Sequence, residues 1–168
     1  QSHYARALMA ATRDAGWQGV VPHFRGCSGE PNLAPRAYHS GDSDEIDWIV
    51  RRIVQRARGA PVFVAGVSLG ANALLKWLGE RGDEAARLVT AAAGISPPQD
   101  LRAGADALRK GFNRIYTINF LVTLKRKSLA KLALWPDLYD ARRVREARDF
   151  HDFDDIVTAP LHGFRDAI

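Results

Sequence analysis

The stretch Gly66-Val67-Ser68-Leu69-Gly70 decides the fold prediction for this chain. A short apolar run, 61–65, precedes it, and a helical pattern of apolar residues, 72–78, follows it. A serine between two glycines, placed after a strand and before a helix, is typical of a sharp turn that presents the hydroxyl group to a cleft. The sequence therefore predicts a buried strand, a strained turn at Ser68 and a helix directly after it.

This turn supplies the candidate catalytic groups. Ser68 is the candidate nucleophile, and the backbone N–H of Leu69, at the start of the helix, is the candidate donor to an oxyanion. We expect glycine at 66 and 70 because a Cβ atom at Gly66 or Gly70 would collide with the neighbouring strand or helix. The alternative is an ordinary strand-to-helix turn in which the serine only caps the helix.

Outside the turn, helical and strand-like patterns alternate over the first part of the chain. The helical patterns are 2–15, 42–58 and 72–80, and the strand-like runs are 19–24, 61–65 and 87–93. Pro22 weakens the first strand, since proline cannot donate to a central ladder. The alternation predicts an α/β fold with a parallel sheet flanked by helices. After Pro98 the patterns are helical only, at about 100–116, 118–134 and 137–148.

Composition and charge narrow the function classes. The net charge of +5 is uneven, because residues 98–150 hold 12 Lys/Arg against 6 Asp/Glu. The single cysteine, Cys27, excludes a disulfide within one chain and indicates a reducing compartment, so the expected location is cytoplasmic. No apolar run approaches the roughly 20 residues of a membrane span. The chain begins at Gln1 inside a helical pattern, so we expect it to be a piece of a longer protein. Whether that protein carries a targeting signal stays open.

Several short segments carry a family resemblance. They are Phe24-Arg25-Gly26-Cys27-Ser28-Gly29-Glu30-Pro31-Asn32, Tyr38-His39-Ser40-Gly41-Asp42, Gly66-Val67-Ser68-Leu69-Gly70-Ala71-Asn72, Lys110-Gly111-Phe112, Phe153-Asp154-Asp155 and His162-Gly163-Phe164. Together they resemble the YheT-like group of α/β hydrolases over nearly the whole chain. One departure is Ala71, where relatives usually carry a second glycine; alanine is tolerated there if the backbone is helical.

The resemblance implies a single, incomplete α/β-hydrolase domain. Its core would comprise 1–97 and 151–168, and a helical lid would be inserted at about 98–150. The runs 19–24, 61–65 and 88–94 would be the fourth, fifth and sixth strands of an eight-stranded sheet. The first three strands would lie upstream of Gln1 and the last two downstream of Ile168.

The same resemblance implies a serine–histidine–aspartate esterase without a cofactor or a metal. In this family the acid and the histidine follow the nucleophile on loops after the final strands. Both would lie beyond Ile168, and the second oxyanion donor would lie before Gln1. Ser68 and the Leu69 N–H would be the only catalytic groups present, so the chain alone is expected to be inactive.

Other residues invite catalytic or metal-binding interpretations. His151 lies in an acidic stretch with Asp152, Asp154 and Asp155, which suggests an acid–base pair or metal ligands, but a solvated connection leaving the lid is favoured. The remaining histidines do not occupy the catalytic position of the family: His3, His23, His39 and His162. Cys27 is interpreted as a small turn residue and not as a nucleophile.

The segment 120–132 is amphipathic and basic, which leaves two interpretations open. It could contact a membrane surface or fatty-acyl chains, or its apolar side could cover the cleft while its lysines face water, which is favoured. The expected substrate is a small-molecule or lipid ester. A non-catalytic binding or scaffold domain is the alternative function. Nucleic-acid binding is not expected, because the basic segment lacks an array of aromatic residues for base stacking. The oligomeric state stays open.

Overall fold

A computed structural model describes residues 2–166, with Tyr116 described by its backbone only. Gln1, Ala167 and Ile168, which the expected core segments include, lie outside the described residues. The chain divides into two compact units, one ending at Glu30 and the other beginning at Pro31.

The first unit is built on helix α1, His3–Asp14. The Ser2 hydroxyl caps this helix by accepting a hydrogen bond from the Ala5 N–H at 3.4 Å. Gly19 lies against the helix, because a Cβ atom at this position would come within 2.6 Å of Met9 Sδ. The helix predicted at 2–15 is therefore confirmed.

The strand predicted at 19–24 is wrong, because the structure describes these residues as irregular. A strand exists only through hydrogen bonds to a neighbouring strand, and Pro22 cannot donate one. The resemblance assigns the neighbouring strand to sequence that this chain does not include. An apolar run without a partner to pair with therefore does not become a strand.

The second unit contains the sheet and most of the helices. Its elements, in chain order, are α2 Ser43–Ala57, β1 Phe63–Val67, α3 Leu69–Arg81, α4 Asp83–Leu88, β2 Ala91–Ile95, α5 Leu101–Leu108, α6 Asn113–Lys131, α7 Ala141–Glu146, α8 Phe150–Phe153, a π-helical turn Asp154–Thr158, and α9 Ala159–His162.

The sheet of the described residues has two parallel strands. Phe63 of β1 is in register with Ala91 of β2, and Val67 with Ile95. Helices α3 and α4 form the crossover between the strands, so the expected parallel sheet with flanking helices is present in part. The strand predicted at 87–93 starts four residues too early, because 83–88 form α4, which begins with Asp83 and Glu84 in its first turn.

The core of the sheet region lies between α2, α3 and the sheet. Trp77 is completely buried there and packs with Val50, Leu74, Ala85 and Val89. Its indole Nε1–H donates to Asp47 Oδ1 at 2.9 Å. Arg51 Nε donates to Asp47 Oδ2 at 2.8 Å and lowers the pKa of that carboxyl group. The buried indole N–H therefore donates to a charged carboxylate.

A second hydrophobic cluster belongs to the helices after β2. Its buried members are Leu121 of α6, Val144 of α7, and Ala147, Phe153 and Val157 from the following segment. Residues 153 and 157, which the resemblance assigns to the hydrolase core, therefore pack with the expected lid helices. The lid boundaries at 98 and 150 stay a prediction.

The break between the first two helices of this region differs from the prediction. Helix α5 ends at Leu108 and not near 116, because Gly111 adopts the left-handed conformation with φ +54°. The Thr117 hydroxyl of α6 donates to the Leu108 carbonyl at 2.8 Å and so satisfies a carbonyl at the end of α5.

Within the described residues, we find no helix with the length and apolar character needed to cross a bilayer.

Candidate active site

Ser68 lies at the junction of β1 and α3. Its backbone has φ +53° and ψ −122°, a region that non-glycine residues rarely adopt. Its N–H donates to the Ile95 carbonyl of β2 at 2.9 Å, and its own carbonyl accepts from the Ala71 N–H at 2.9 Å. The residue is exposed, and its hydroxyl makes no capping hydrogen bond to α3. The predicted strand, strained turn and helix are therefore present, and the serine side chain does not cap the helix. The strand is not buried as predicted: Phe63 and Ala65 are exposed, because among the described residues β1 pairs with β2 alone.

The flanking residues explain why the turn is so tight. A Cβ atom at Gly66 would lie 2.6 Å from the Gly70 carbonyl oxygen and 2.7 Å from Ala71 Cα, so only glycine allows α3 to approach the strand this closely. Ala71 is helical and fully buried, which removes the doubt raised by the missing second glycine. The collision predicted for a side chain at Gly70 itself stays a prediction.

Leu69 is the first residue of α3. The N–H groups of the first helical turn have no acceptor inside the helix, and they carry the positive end of its dipole. An anionic oxygen near Ser68 would therefore meet a favourable potential.

Ser96 is a second strained serine that sequence reasoning missed. It follows β2 with φ +49° and is exposed. Because Val67 and Ile95 are in register, Ser68 and Ser96 follow neighbouring strands at the same edge of the sheet. Asn72 of α3 holds the next residues by donating from its Nδ2 to the Pro98 carbonyl at 2.7 Å. The sequence signal was the serine directly before Pro97-Pro98 at the end of an apolar run.

A groove of about 310 Å³ runs along α3 one turn beyond Ser68. It is lined by Asn72, Leu75 and Lys76 of α3, by Ser40 and Gly41, and by Gln99 and Leu101. The Lys76 ammonium group donates to Ser43 Oγ at 3.2 Å and to Glu80 Oε1 at 2.5 Å. Its charge is thus engaged with Glu80, and the groove is lined by both polar and apolar side chains.

A buried polar cluster precedes α2. The Asp42 side chain is completely buried and pairs with the Arg36 guanidinium, while Asp42 Oδ2 finds no hydrogen-bond partner among the described residues. His39 packs its ring 4.5 Å from that of His162. Burial lowers the pKa of His39, against the opposing effect of the Asp42 carboxylate. The sequence placed Asp42 in a segment that carries the family resemblance, and its burial was not predicted.

The histidine in the acidic stretch has structural partners. His151 Nδ1 lies 3.3 Å from Asp155 Oδ2 one turn later. Asp152 Oδ2 accepts from the Arg148 N–H at 2.8 Å, and Asp154 Oδ1 accepts from the Thr158 hydroxyl at 2.6 Å. Burial raises the pKa of Asp154. Each carboxylate thus supports the local helical turns, which favours the structural interpretation of this stretch.

The remaining candidates, Cys27, His3 and His23, belong to the first unit. Cys27 is exposed in a turn in which its N–H donates to the Phe24 carbonyl at 2.9 Å. His3 and His23 are exposed in the first unit. Within the part of the chain that the structure describes, no hydrogen bond joins a histidine to the Ser68 hydroxyl.

This combination of a parallel sheet and a strained serine before a helix agrees with a match to a known family. Residues 1–145 match the family model of the alpha/beta hydrolase fold, so the chain belongs to the α/β-hydrolase fold family.

Individual relatives refine that assignment to the YheT-like group. The chain is 40% identical to the candidate esterase YheT of Escherichia coli (strain K12), over 99% of this chain and 49% of that protein. It is 28% identical to Phospholipase ABHD3 of Mus musculus, over 96% of this chain and 39% of that protein. It is 26% identical to Monoacylglycerol lipase of Saccharomyces cerevisiae, over 98% of this chain and 38% of that protein. The chain therefore spans half or less of the length of these relatives. No solved structure matches it.

Proposed function

We propose that the intact protein hydrolyses carboxylic esters through an acyl-enzyme formed on Ser68. The observation that carries this proposal is the strained backbone of Ser68 at the end of β1, with its hydroxyl uncapped and exposed. A serine held this way costs folding free energy that a mere helix cap would not require. The relatives named as esterase, phospholipase and lipase support an ester, small or lipid, as the substrate.

In the proposed mechanism Ser68 Oγ attacks the ester carbonyl and gives its proton to a histidine base. The tetrahedral intermediate places its oxyanion near the N-terminus of α3, where the Leu69 N–H donates to it. Collapse expels the alcohol, which takes the proton back from the histidine. Water then attacks the acyl group on Ser68 by the same route, and the carboxylic acid leaves.

The base and the acid of this mechanism are assigned by the resemblance to later parts of the intact protein. We therefore expect the 168-residue chain alone to show negligible turnover, since the serine contributes little once its histidine is removed. A binding or scaffold domain is the second candidate, because no histidine of the described residues bonds to Ser68.

The test uses the intact protein and p-nitrophenyl esters of short and medium chain length. Ser68→Ala is expected to lower kcat by about 10⁴-fold or more. Ser28→Ala, which changes an exposed serine in the first unit, is the matched control and is expected to keep full activity. Equal activity of the wild type and Ser68→Ala would reject the mechanism, and a folded wild type without any esterase activity would favour the scaffold.

A further inference from the structure

Helix α6 carries exposed apolar side chains on a face other than the one that it buries. Its inner face holds the buried residues Thr117, Leu121 and Ser128. Its outer face holds Ile115, Ile118 and Val122, spaced at i, i+3 and i+7, and these are 60%, 55% and 62% exposed. Packing against the second cluster explains the inner face only. The outer face is an apolar surface that the described fold does not cover.

Phe112 extends the same surface at the start of the helix. It directly precedes α6, one turn before Ile115, and is 92% exposed. Single exposed apolar residues are common, but four within three turns form a continuous patch of a kind that usually marks an interaction site. We call Phe112, Ile115, Ile118 and Val122 the outer α6 face.

The segment of sequence that contains this face carries charge of one sign. Residues 109–136 contain seven Lys or Arg and no Asp or Glu. Three of these cations are engaged elsewhere: Arg109 pairs with Asp149, Lys125 donates to the Arg145 carbonyl, and Lys131 donates to the Ala34 carbonyl. Arg114 and Arg126 are exposed and have no ion-pair partner among the described residues.

We propose that the outer α6 face, with Arg114 and Arg126 beside it, docks on an anionic phospholipid surface. An apolar stripe flanked by cations suits an interfacial helix, whose apolar face sinks about 5–10 Å into the boundary between headgroups and acyl chains. Anionic headgroups attract each nearby Lys or Arg, and residues 109–136 contain no carboxylate that would oppose this.

The chemistry of the face argues against other occupants. A second copy of this chain would bring the same positive charge to the contact, which is repulsive. A nucleic acid would meet isoleucine and valine side chains, which do not stack on bases as aromatic residues do. An anionic lipid surface satisfies both the apolar and the cationic residues at once. The proposal concerns binding and does not rest on the proposed hydrolase function.

The experiment is co-sedimentation of the intact protein with vesicles of phosphatidylcholine, with and without phosphatidylglycerol. We expect binding to the anionic vesicles that weakens with salt, and binding at least tenfold weaker to phosphatidylcholine alone. Val122→Asp is expected to lower the partition coefficient about tenfold or more. Val20→Asp is the matched control, since Val20 is 64% exposed in the first unit, and it is expected to bind like the wild type. Arg126→Glu is expected to lower binding to anionic vesicles about tenfold, with little effect on phosphatidylcholine.

Several results would overturn the proposal. One is equal binding by Val122→Asp and Val20→Asp, and another is no preference for the anionic vesicles. Strong protection of 113–122 from solvent in the lipid-free monomer, measured by side-chain footprinting, would show that another part of the intact protein covers the face. A dimer that Val122→Asp dissociates would assign the face to a second copy. Labelling of Ser68 by a small fluorophosphonate should be unchanged in Val122→Asp, so a failure here is distinguishable from failure of the proposed function.

Discussion

The sheet region, 43–98, and the helical region, 99–162, differ in the kind of contact that holds their elements together. In the sheet region backbone atoms approach each other directly, as at Gly66, where a Cβ atom would meet the backbone of α3. In the helical region the cluster around Val144 is formed by side chains alone. Close backbone approach dictates residue identity position by position, whereas side-chain packing requires only apolar volume. The candidate site lies in the sheet region, where close backbone approach restricts which residue each position accepts.

Polar side chains at the end of α6 tie the helical region to the loop that precedes the sheet region. Lys131 Nζ donates to the carbonyls of Ala34, Pro35 and Arg36 at 2.9, 3.0 and 3.2 Å. Trp135 Nε1–H donates to the Leu33 carbonyl at 3.0 Å. The helical region is thus fixed to the loop that leads into α2, and not only to the chain that leaves β2.

The largest expected loss of stability tests whether the two hydrophobic clusters are independent. Trp77→Ala in the intact protein should lower the free energy of unfolding by about 3–5 kcal/mol, because it leaves a large cavity and removes the indole hydrogen bond to Asp47 Oδ1. Val144→Ala should cost about 2 kcal/mol in the other cluster. Hydrogen exchange is the measurement, and each variant should raise exchange mainly in its own region. A uniform rise in hydrogen exchange across both regions would show that the two clusters are not independent.

The next effect tests the close approach at the candidate site. Gly66→Ala should destabilise the protein by about 3 kcal/mol, since the added Cβ meets backbone that cannot move without shifting α3. The matched control is Gly79→Ala, in the same helix with open space around its Cβ position, which should stabilise by up to about 1 kcal/mol. Urea unfolding measures both. A harmless Gly66→Ala would contradict the stated geometry of the turn.

A smaller loss of stability tests the connection between the helical region and the loop before α2. Lys131→Met should cost about 1–2 kcal/mol, because three carbonyls lose a charged donor. Lys125→Met removes one such bond, from Lys125 to the Arg145 carbonyl at 2.9 Å, and should cost less. Limited proteolysis should show faster cleavage within 31–36 for the first variant only. Equal cleavage in both variants would mean that this connection contributes nothing.

The smallest effect is a pH dependence at the buried cluster before α2. Because burial lowers the pKa of His39 below its ordinary value of 6.5, the unfolded state binds the proton more readily. The stability that the neutral, buried His39 contributes is therefore fully present above pH 6.5. It is lost as the pH falls from there toward the pKa of His39 in the folded state. After correction for the intrinsic pH dependence of amide exchange, hydrogen exchange of 36–43 should accelerate over this interval. His39→Gln should abolish this acceleration, whereas His3→Gln, an exposed control, should keep it.

Sequence reasoning succeeded where the determinants are local. The strand, turn and helix around Ser68 follow from glycine spacing and flanking patterns, and α2 follows from its charged ends and apolar stripe. The Gly111 break was missed because 109–112 also fits a helical pattern, and the start of β2 was placed too early because a short apolar run does not distinguish a helix end from a strand.

The failures share a non-local cause. Residues 19–24 are apolar enough for a strand, but a strand requires a partner that local sequence cannot supply. The alignment of Ser96 with Ser68 depends on the register of two strands that are far apart in the chain. Such contacts join residues through the tertiary fold, so no spacing rule could predict them.

The most direct test of the account is fluorophosphonate labelling of the intact, folded protein, followed by trypsin digestion and mass spectrometry. The tryptic peptide 59–76 contains Ser68 and no other serine, threonine, tyrosine or cysteine, so an adduct on it identifies the residue. The account predicts that this peptide carries the adduct, and that Ser68→Ala and prior denaturation each abolish it. A folded protein that stays unlabelled, or an adduct on another peptide, would contradict it.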